Sequence, residues 1–186
     1  VPVGEGAMAA LLGLDLDMAK EVVDEAAQGD VLVTANDNAP GQVVVSGKRE
    51  AVERAVDVAK EKGAKRAMLL QVSAPFHCPM MAPAADVMAE ALAAVELLPP
   101  ILPLIANVTA APVEDPAEIR RLLVEQVTGM VRWRECCMTM RAKGVEKLVE
   151  VGSGKVLSGL ARRIDKELSA SNVSTPASVE EFLATL

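Results

Sequence analysis

The sequence predicts an α/β protein in two unlike parts. Three observations carry this: β-branched runs alternate with amphipathic stretches over residues 7–73, prolines become frequent after Ser73, and strand-then-helix alternation returns in the last third. Residues 7–14 are short and apolar, as a buried strand requires. Asp17 can cap a helix running to about Gln28, with Met18, Val22, Val23 and Ala26 on one face. Residues 31–35 and 42–45 are β-branched runs joined through Asn38-Ala39-Pro40-Gly41, which reads as a hairpin connection. Ser46 can cap the next helix, and Gly63 ends it. Its Ala51, Val52, Ala55, Val56 and Ala59 form one stripe, while Lys48, Glu53, Lys60 and Glu61 face water. Residues 66–72 complete the order βαββαβ, a ferredoxin-like unit with two helices on one face of an antiparallel sheet.

Beyond Ser73, Met81, Ala85, Met88, Leu92 and Val95 follow helical spacing, and residues 102–108 read as a buried strand. Asp115-Pro116-Ala117-Glu118 is a helix start, with an acidic cap, Pro at the first helical position and Glu at the third. Ile119, Leu122, Leu123 and Val127 then line its buried face. A helix over about 132–143 stops at Gly144, residues 145–151 make a strand, and Gly152-Ser153-Gly154 leads into a helix to about Lys166. Parallel strands are the expectation for such alternation. Two of them cannot form a covered sheet alone, so this half calls for partner strands from sequence absent here.

Composition limits the function classes. The 186 residues are 51% hydrophobic and 24% charged, the balance of a globular chain. Aromatics total 2% and the net charge is −7, which argues against nucleic-acid partners: bases need stacking rings and phosphates need a basic surface. Cys78, Cys136 and Cys137 fit neither a disulfide framework nor a metal-ligand spacing and read as buried thiols in a cytoplasmic protein. The uncharged stretches 69–85 and 97–113 contain several prolines and read as no membrane span. No signal peptide is recognisable; the chain opens at Val1, its first methionine is Met8, and it reads as processed or truncated.

His77 is the only histidine and lies between Pro75 and Pro79, just before a helix. The positive end of a helix dipole and the apolar Phe76 both favour a neutral ring, the form a general base needs; a structural histidine at a helix start fits the same facts. Gln126 falls on the buried face of its helix, either bonded to nearby backbone or orienting a catalytic side chain. No nucleophile completes a site. Ser46, Ser73, Ser153 and Ser158 all fail the G-x-S-x-G elbow, and Cys78, adjacent to His77, diverges from it. Gly152-Ser153-Gly154-Lys155 fails the Walker pattern, because Val149 and Val156 stand at required positions, and it fails the dinucleotide fingerprint at Leu157. What remains is a strand-to-helix turn with N–H groups open to an anion, or a purely structural turn.

Four stretches appear in order: Gly6-Ala7-Met8-Ala9-Ala10, Asn36-Asp37-Asn38-Ala39-Pro40-Gly41-Gln42-Val43-Val44-Val45-Ser46-Gly47, Ala74-Pro75-Phe76-His77, and Glu150-Val151-Gly152-Ser153-Gly154-Lys155-Val156-Leu157. Together they resemble the malonyl-CoA:acyl carrier protein transacylase family over nearly the whole chain. The resemblance implies that residues 1–73 are the family's ferredoxin-like small subdomain. It implies that residues 74–186 are the C-terminal part of an α/β-hydrolase-like large subdomain. His77 matches the catalytic histidine, and Gln126 matches a glutamine whose main-chain carbonyl accepts from the ring. Asn36 and Asn38 match asparagines near the substrate pocket, with Asp37 between them altering local charge. Phe76 resembles the malonyl-selecting position of related polyketide acyltransferases, where a bulky ring excludes an α-methyl group.

The family's serine elbow, oxyanion-hole glutamine and carboxylate-pairing arginine match nothing here and are expected upstream of Val1, so this chain alone is expected to be inactive. The resemblance implies malonyl-CoA and acyl carrier protein as partners, no cofactor, and a monomer when full length. The acidic carrier calls for a basic dock; Lys60, Lys62, Lys65 and Arg66 are one candidate, Arg162, Arg163 and Lys166 another, although either group taken alone reads first as a solvated helix face. Two rivals stand beside this reading: an acyltransferase domain of a polyketide synthase, and a non-catalytic ferredoxin-like binding module.

Overall fold

The computed structural model describes residues 1–2 and 4–185, an α/β chain of two compact units, Val1–Cys136 and Cys137–Leu186. In the first, β1 (Gly6–Leu12), β2 (Leu32–Ala39), β3 (Gln42–Lys48) and β4 (Arg66–Leu69) form an antiparallel sheet in the order β2-β3-β1-β4. Side chains alternate along β1 as a pleated strand demands. Ala7, Ala9 and Leu11 join Val43 and Val45 against Val22 of α1 (Leu16–Ala27) and Val52 of α2 (Arg49–Glu61). Met8 points to the opposite face, with Ala35 and Val44. Alanines 19, 26, 51, 55 and 59 are fully buried, and these short side chains let both helices lie close to the sheet.

Two caps differ from expectation. Asp15, not Asp17, caps α1: its carboxylate accepts from the Met18 N–H at 2.9 Å, whereas Asp17 lies in the first turn and pairs with Lys20. Ser46 caps nothing. Pairing with β1 continues to Gly6↔Lys48, so the ladder claims Ser46 as a strand residue and α2 begins only at Arg49. Arg49 ties that start down instead, its backbone N–H to Glu5 O at 2.9 Å and its Nε–H to Gly4 O at 2.7 Å. The hairpin loop also contracts to Pro40-Gly41, with Gly41 at φ 68, which places Asn36 and Asn38 on β2 rather than in a turn.

After β4, a 3-10 turn at Pro79–Met81 leads into α3 (Ala82–Ala93). The apolar stripe of α3 buries no residue; Val87 and Met88 are exposed, because α4 (Pro116–Gln126) is the element that packs on it. Arg120 of α4 satisfies the carbonyls at the end of α3, reaching Leu92 O at 2.9 Å and Val95 O at 2.7 Å. The expected cap on α4 holds, with Asp115 accepting from Glu118 N–H at 2.8 Å, but Leu123 is exposed and only Leu122 is fully buried. The stretch 102–108 contributes only β5 (Leu104–Ala106). It turns back through Ala110, at φ 55, to pair antiparallel with β6 (Ala111–Val113). Pro112 hid β6, since proline is rare inside paired strands.

In the second unit, β7 (Lys147–Val151) pairs in parallel with β8 (Ser169–Val173) across α6 (Val156–Ile164). The parallel pairing was expected; the partner, with polar Ser169, Ser171 and Asn172, was not. Thr175 and Ser178 form a capping box that starts α7 (Pro176–Leu183). α5 (Trp133–Ala142) follows the expected helix and stops before Gly144, at φ 86.

Gly47 gives a direct test of the sheet packing. A Cβ there would lie 2.1 Å from Val31 O, so Gly47→Ala is expected to destabilise the chain by about 1–3 kcal/mol, read as a lowered urea midpoint.

Candidate active site

His77 sits on a turn held at both ends. Pro75 is buried so closely against Gly6 that a Cβ on Gly6 would meet the proline ring at 2.3 Å. Cys78 is buried, and its Sγ–H donates to Pro75 O at 3.1 Å. Between these fixed points His77 adopts φ 58, a left-handed conformation that costs a non-glycine residue about 1–2 kcal/mol. The turn leaves His77 half-buried and presents Phe76 at 40% exposure.

The helix end that meets the ring is the C-terminus of α4. The N-terminus of α3 lies beyond the intervening 3-10 turn, which corrects the expected dipole contact. α4 closes with Thr128 N–H and Gly129 N–H both donating to Glu125 O, at 3.2 and 2.9 Å, which leaves the Gln126 carbonyl without a helical partner. His77 Nδ1 lies 3.0 Å from that oxygen. A carbonyl can only accept, so Nδ1 carries the hydrogen and, in the neutral ring, Nε2 keeps its lone pair. The Gln126 amide, 3.5 Å from Nδ1, cannot also donate to it; its Nε2–H donates to Gly129 O at 2.9 Å. The Gln126 side chain thus bonds nearby backbone while its main-chain carbonyl meets the histidine ring. An imidazole held this way can take a proton on Nε2 from a hydroxyl or thiol.

β2 carries Asn36 and Asn38, both half-buried, and no hydrogen bond joins either side chain to His77 or Gln126 among the described residues. Asp37 between them is 2% exposed and bound by Arg134 through contacts of 2.7, 2.9 and 3.1 Å. Its charge is matched rather than open. The outer edge of β2 is stitched to Val131: Asp37 N–H donates to Val131 O at 2.9 Å and Val131 N–H to Ala35 O at 2.8 Å. Sequence reading missed Arg134 and Val131. An acid inside a strand was the available signal, since a buried carboxylate requires a partner, but spacing does not say which cation supplies it.

In the second unit the start of α6, just beyond the Gly152-Ser153-Gly154 turn, receives an anion, and it is the chain's own. Glu150 accepts from Leu157 N–H at 3.1 Å, Ser158 N–H at 2.8 Å and Ser158 Oγ–H at 2.7 Å, filling the start of α6 where a phosphate would bind. Of the candidate docking cations, Lys60 pairs with Asp57, Lys62 with Glu25 and Glu21, and Arg162 donates to Ala170 O. All three cysteines are buried, and burial pushes the Cys136 thiol up to about 11. Among the described residues no three His, Cys, Asp or Glu side chains converge as metal ligands, and no helix is long and apolar enough to cross a membrane.

A histidine aimed by a main-chain carbonyl, beside a four-stranded antiparallel sheet, defines the class. The family described as Acyl transferase domain matches residues 2–181, and the chain belongs to it. The malonyl CoA-acyl carrier protein transacylase of Bacillus subtilis (strain 168) is 43% identical over 100% of this chain and 59% of its own length. The crystal structure of an acyl-carrier-protein-S-malonyltransferase from Bartonella henselae is 54% identical, with a TM-score of 0.94, over 100% of this chain and 59% of that one. A structure of a type II PKS acyl-carrier protein in complex with its malonyl-transacylase is 43% identical, with a TM-score of 0.95, over 100% and 60% respectively. The chain thus spans about three fifths of the relatives it matches.

Two predictions follow from these contacts. With the Cys136 pKa near 11, only about one thiolate in a thousand exists at pH 8, so iodoacetamide should label this thiol only after urea unfolding, as mass spectrometry would report. Hydrogen bonds from Ser158 lower the Glu150 pKa below its ordinary 4.5, so the carboxylate stabilises the fold above pH 4.5 and ceases to as pH falls through the lowered value. Glu150→Gln should therefore lower the urea midpoint at pH 7 and flatten its decline on acidification.

Proposed function

We propose that this chain is the histidine-bearing part of a malonyl-CoA:acyl carrier protein transacylase. The carrying observation is the 3.0 Å contact of His77 Nδ1 with the Gln126 carbonyl, which leaves Nε2 as the acceptor on a half-buried turn. The sheet order β2-β3-β1-β4, with α1 and α2 on one face, supports reading residues 1–73 as the ferredoxin-like small subdomain. The parallel β7-α6-β8 unit supports reading residues 74–186 as the C-terminal part of an α/β-hydrolase-like large subdomain.

In this reading a serine outside these 186 residues gives its proton to His77 Nε2 as its Oγ attacks the malonyl thioester carbonyl. The tetrahedral intermediate collapses, the C–S bond breaks, and coenzyme A leaves as thiol with the proton His77 returns. The phosphopantetheine thiol of acyl carrier protein then passes its proton to Nε2 and attacks the acyl-serine carbonyl; the C–Oγ bond breaks, malonyl passes to the sulfur, and the serine Oγ takes the proton back from His77. No cofactor enters either half-reaction. The Gln126 carbonyl takes the place of a carboxylate: it fixes ring and tautomer, while a neutral dipole stabilises the imidazolium less than an anion does. Asn36 and Asn38 are the substrate-facing amides of β2, and the exposed Phe76 ring beside His77 disfavours an α-methyl substituent. The carrier docks on Lys65 and Arg66 or on the cations of α6, in a cytoplasmic enzyme that is a monomer at full length.

Malonyl transfer to acyl carrier protein tests the reading. The 186-residue chain alone is expected to give no turnover. When the chain is joined to polypeptide bearing the serine elbow, His77→Ala should lower kcat/KM by about 10²–10⁴-fold. Turnover by the isolated chain, or an unaffected His77→Ala variant, would contradict it.

A further inference from the structure

Residues 126–134 form a strap with a functional group at each end. At one end the Gln126 carbonyl accepts from His77 Nδ1–H at 3.0 Å, and the Gln126 amide donates to Gly129 O at 2.9 Å. At the other, Val131 exchanges backbone hydrogen bonds with Ala35 and Asp37, and Arg134 grips the Asp37 carboxylate from 2.7 to 3.1 Å. The span between is tight. A Cβ on Gly129 would meet both Glu125 O and Val108 Cγ2 at 2.9 Å, and Arg132 is fixed to Asn107 O by its N–H at 3.0 Å and to Thr109 O by its Nη1 at 3.1 Å.

We propose that the Asp37–Arg134 ion pair is a positioning device for His77. By clamping the far end of the strap to β2, it holds the Gln126 carbonyl in line with the ring and so selects the tautomer protonated on Nδ1. That this matters for proton transfer rests on the reading of His77 as the base; the coupling itself does not. The clamp works because Asp37 is 2% exposed. Its carboxylate has no water to fall back on, so removing either charge forces the β2 edge and the Val131 bridge to open. The strap then slackens and the carbonyl leaves its register with Nδ1.

The experiment uses the fact that the chain contains one histidine, so its imidazole nitrogen signals are unambiguous by ¹⁵N NMR. At alkaline pH, where the ring is neutral, the unaltered 186-residue chain should show mainly the Nδ1–H form. A chain showing mainly Nε2–H would contradict the reading of His77 as base before any variant is made. Asp37→Asn should lower the ratio of Nδ1–H to Nε2–H roughly three- to tenfold, the effect of weakening one ordinary hydrogen bond. Arg134→Lys, which keeps the charge but loses the two-pronged grip, should move it in the same direction. Arg121→Gln breaks only exposed pairs with Glu118 and Glu125 on the same helix as Gln126 and should leave the ratio unchanged. An unchanged ratio in both clamp variants, or an equal fall in Arg121→Gln, would overturn the proposal. So would loss of the folded sheet in both clamp variants, because the pair would then hold the fold rather than the ring.

Discussion

A single hydrogen bond, from His77 Nδ1–H to the main-chain carbonyl of Gln126, sets the direction in which this protein can accept a proton. The donor is fixed by a turn wedged between the buried Pro75 and Cys78, and the acceptor is free because the helix closes one residue short of satisfying it. A carboxylate in that place would bring charge, desolvation and a rotatable side chain. A peptide carbonyl at a helix end brings no charge and no rotatable side chain.

The same physical logic recurs at other helix ends. The last carbonyls of α3 are taken by Arg120, and the first N–H groups of α6 by Glu150. In both cases polar groups at a helix end bond a side chain from another element, Arg120 from α4 and Glu150 from β7. The Glu150 arrangement also shows that, behind a glycine-rich turn resembling a phosphate loop, the N–H groups of Leu157 and Ser158 are already given to an internal carboxylate. At α4 the orphaned carbonyl meets the imidazole of His77 instead.

The sheet contributes rigidity on one face and a seam on its edge. Alanine-rich packing draws α1 and α2 onto the inner strands, while β2, on the outside, takes up Val131 and the Arg134 grip on Asp37. Strand irregularities between Thr34 and Asn36 and between Asp37 and Ala39 accompany this seam. A buried acid amid half-buried amides is then the junction between a packed scaffold and the segment that carries the acceptor carbonyl.

Sequence alone determined the local features whose causes are local. A short apolar run predicted β1 and a β-branched run β3, the Asp-Pro start predicted α4, glycines marked the ends of α2 and α5, and two prolines singled out the only histidine. The four motifs in register were enough to indicate the family. Where short-range and long-range demands competed, the sequence was ambiguous: strand pairing overrode Ser46 as a cap, and Pro112 and the polar β8 paired despite their composition. Tertiary structure alone decided which arginine met Asp37 and which anion met the start of α6. Asp37 and Arg134 lie 97 residues apart, and residue spacing carries no information about contacts that only folding brings within bonding distance.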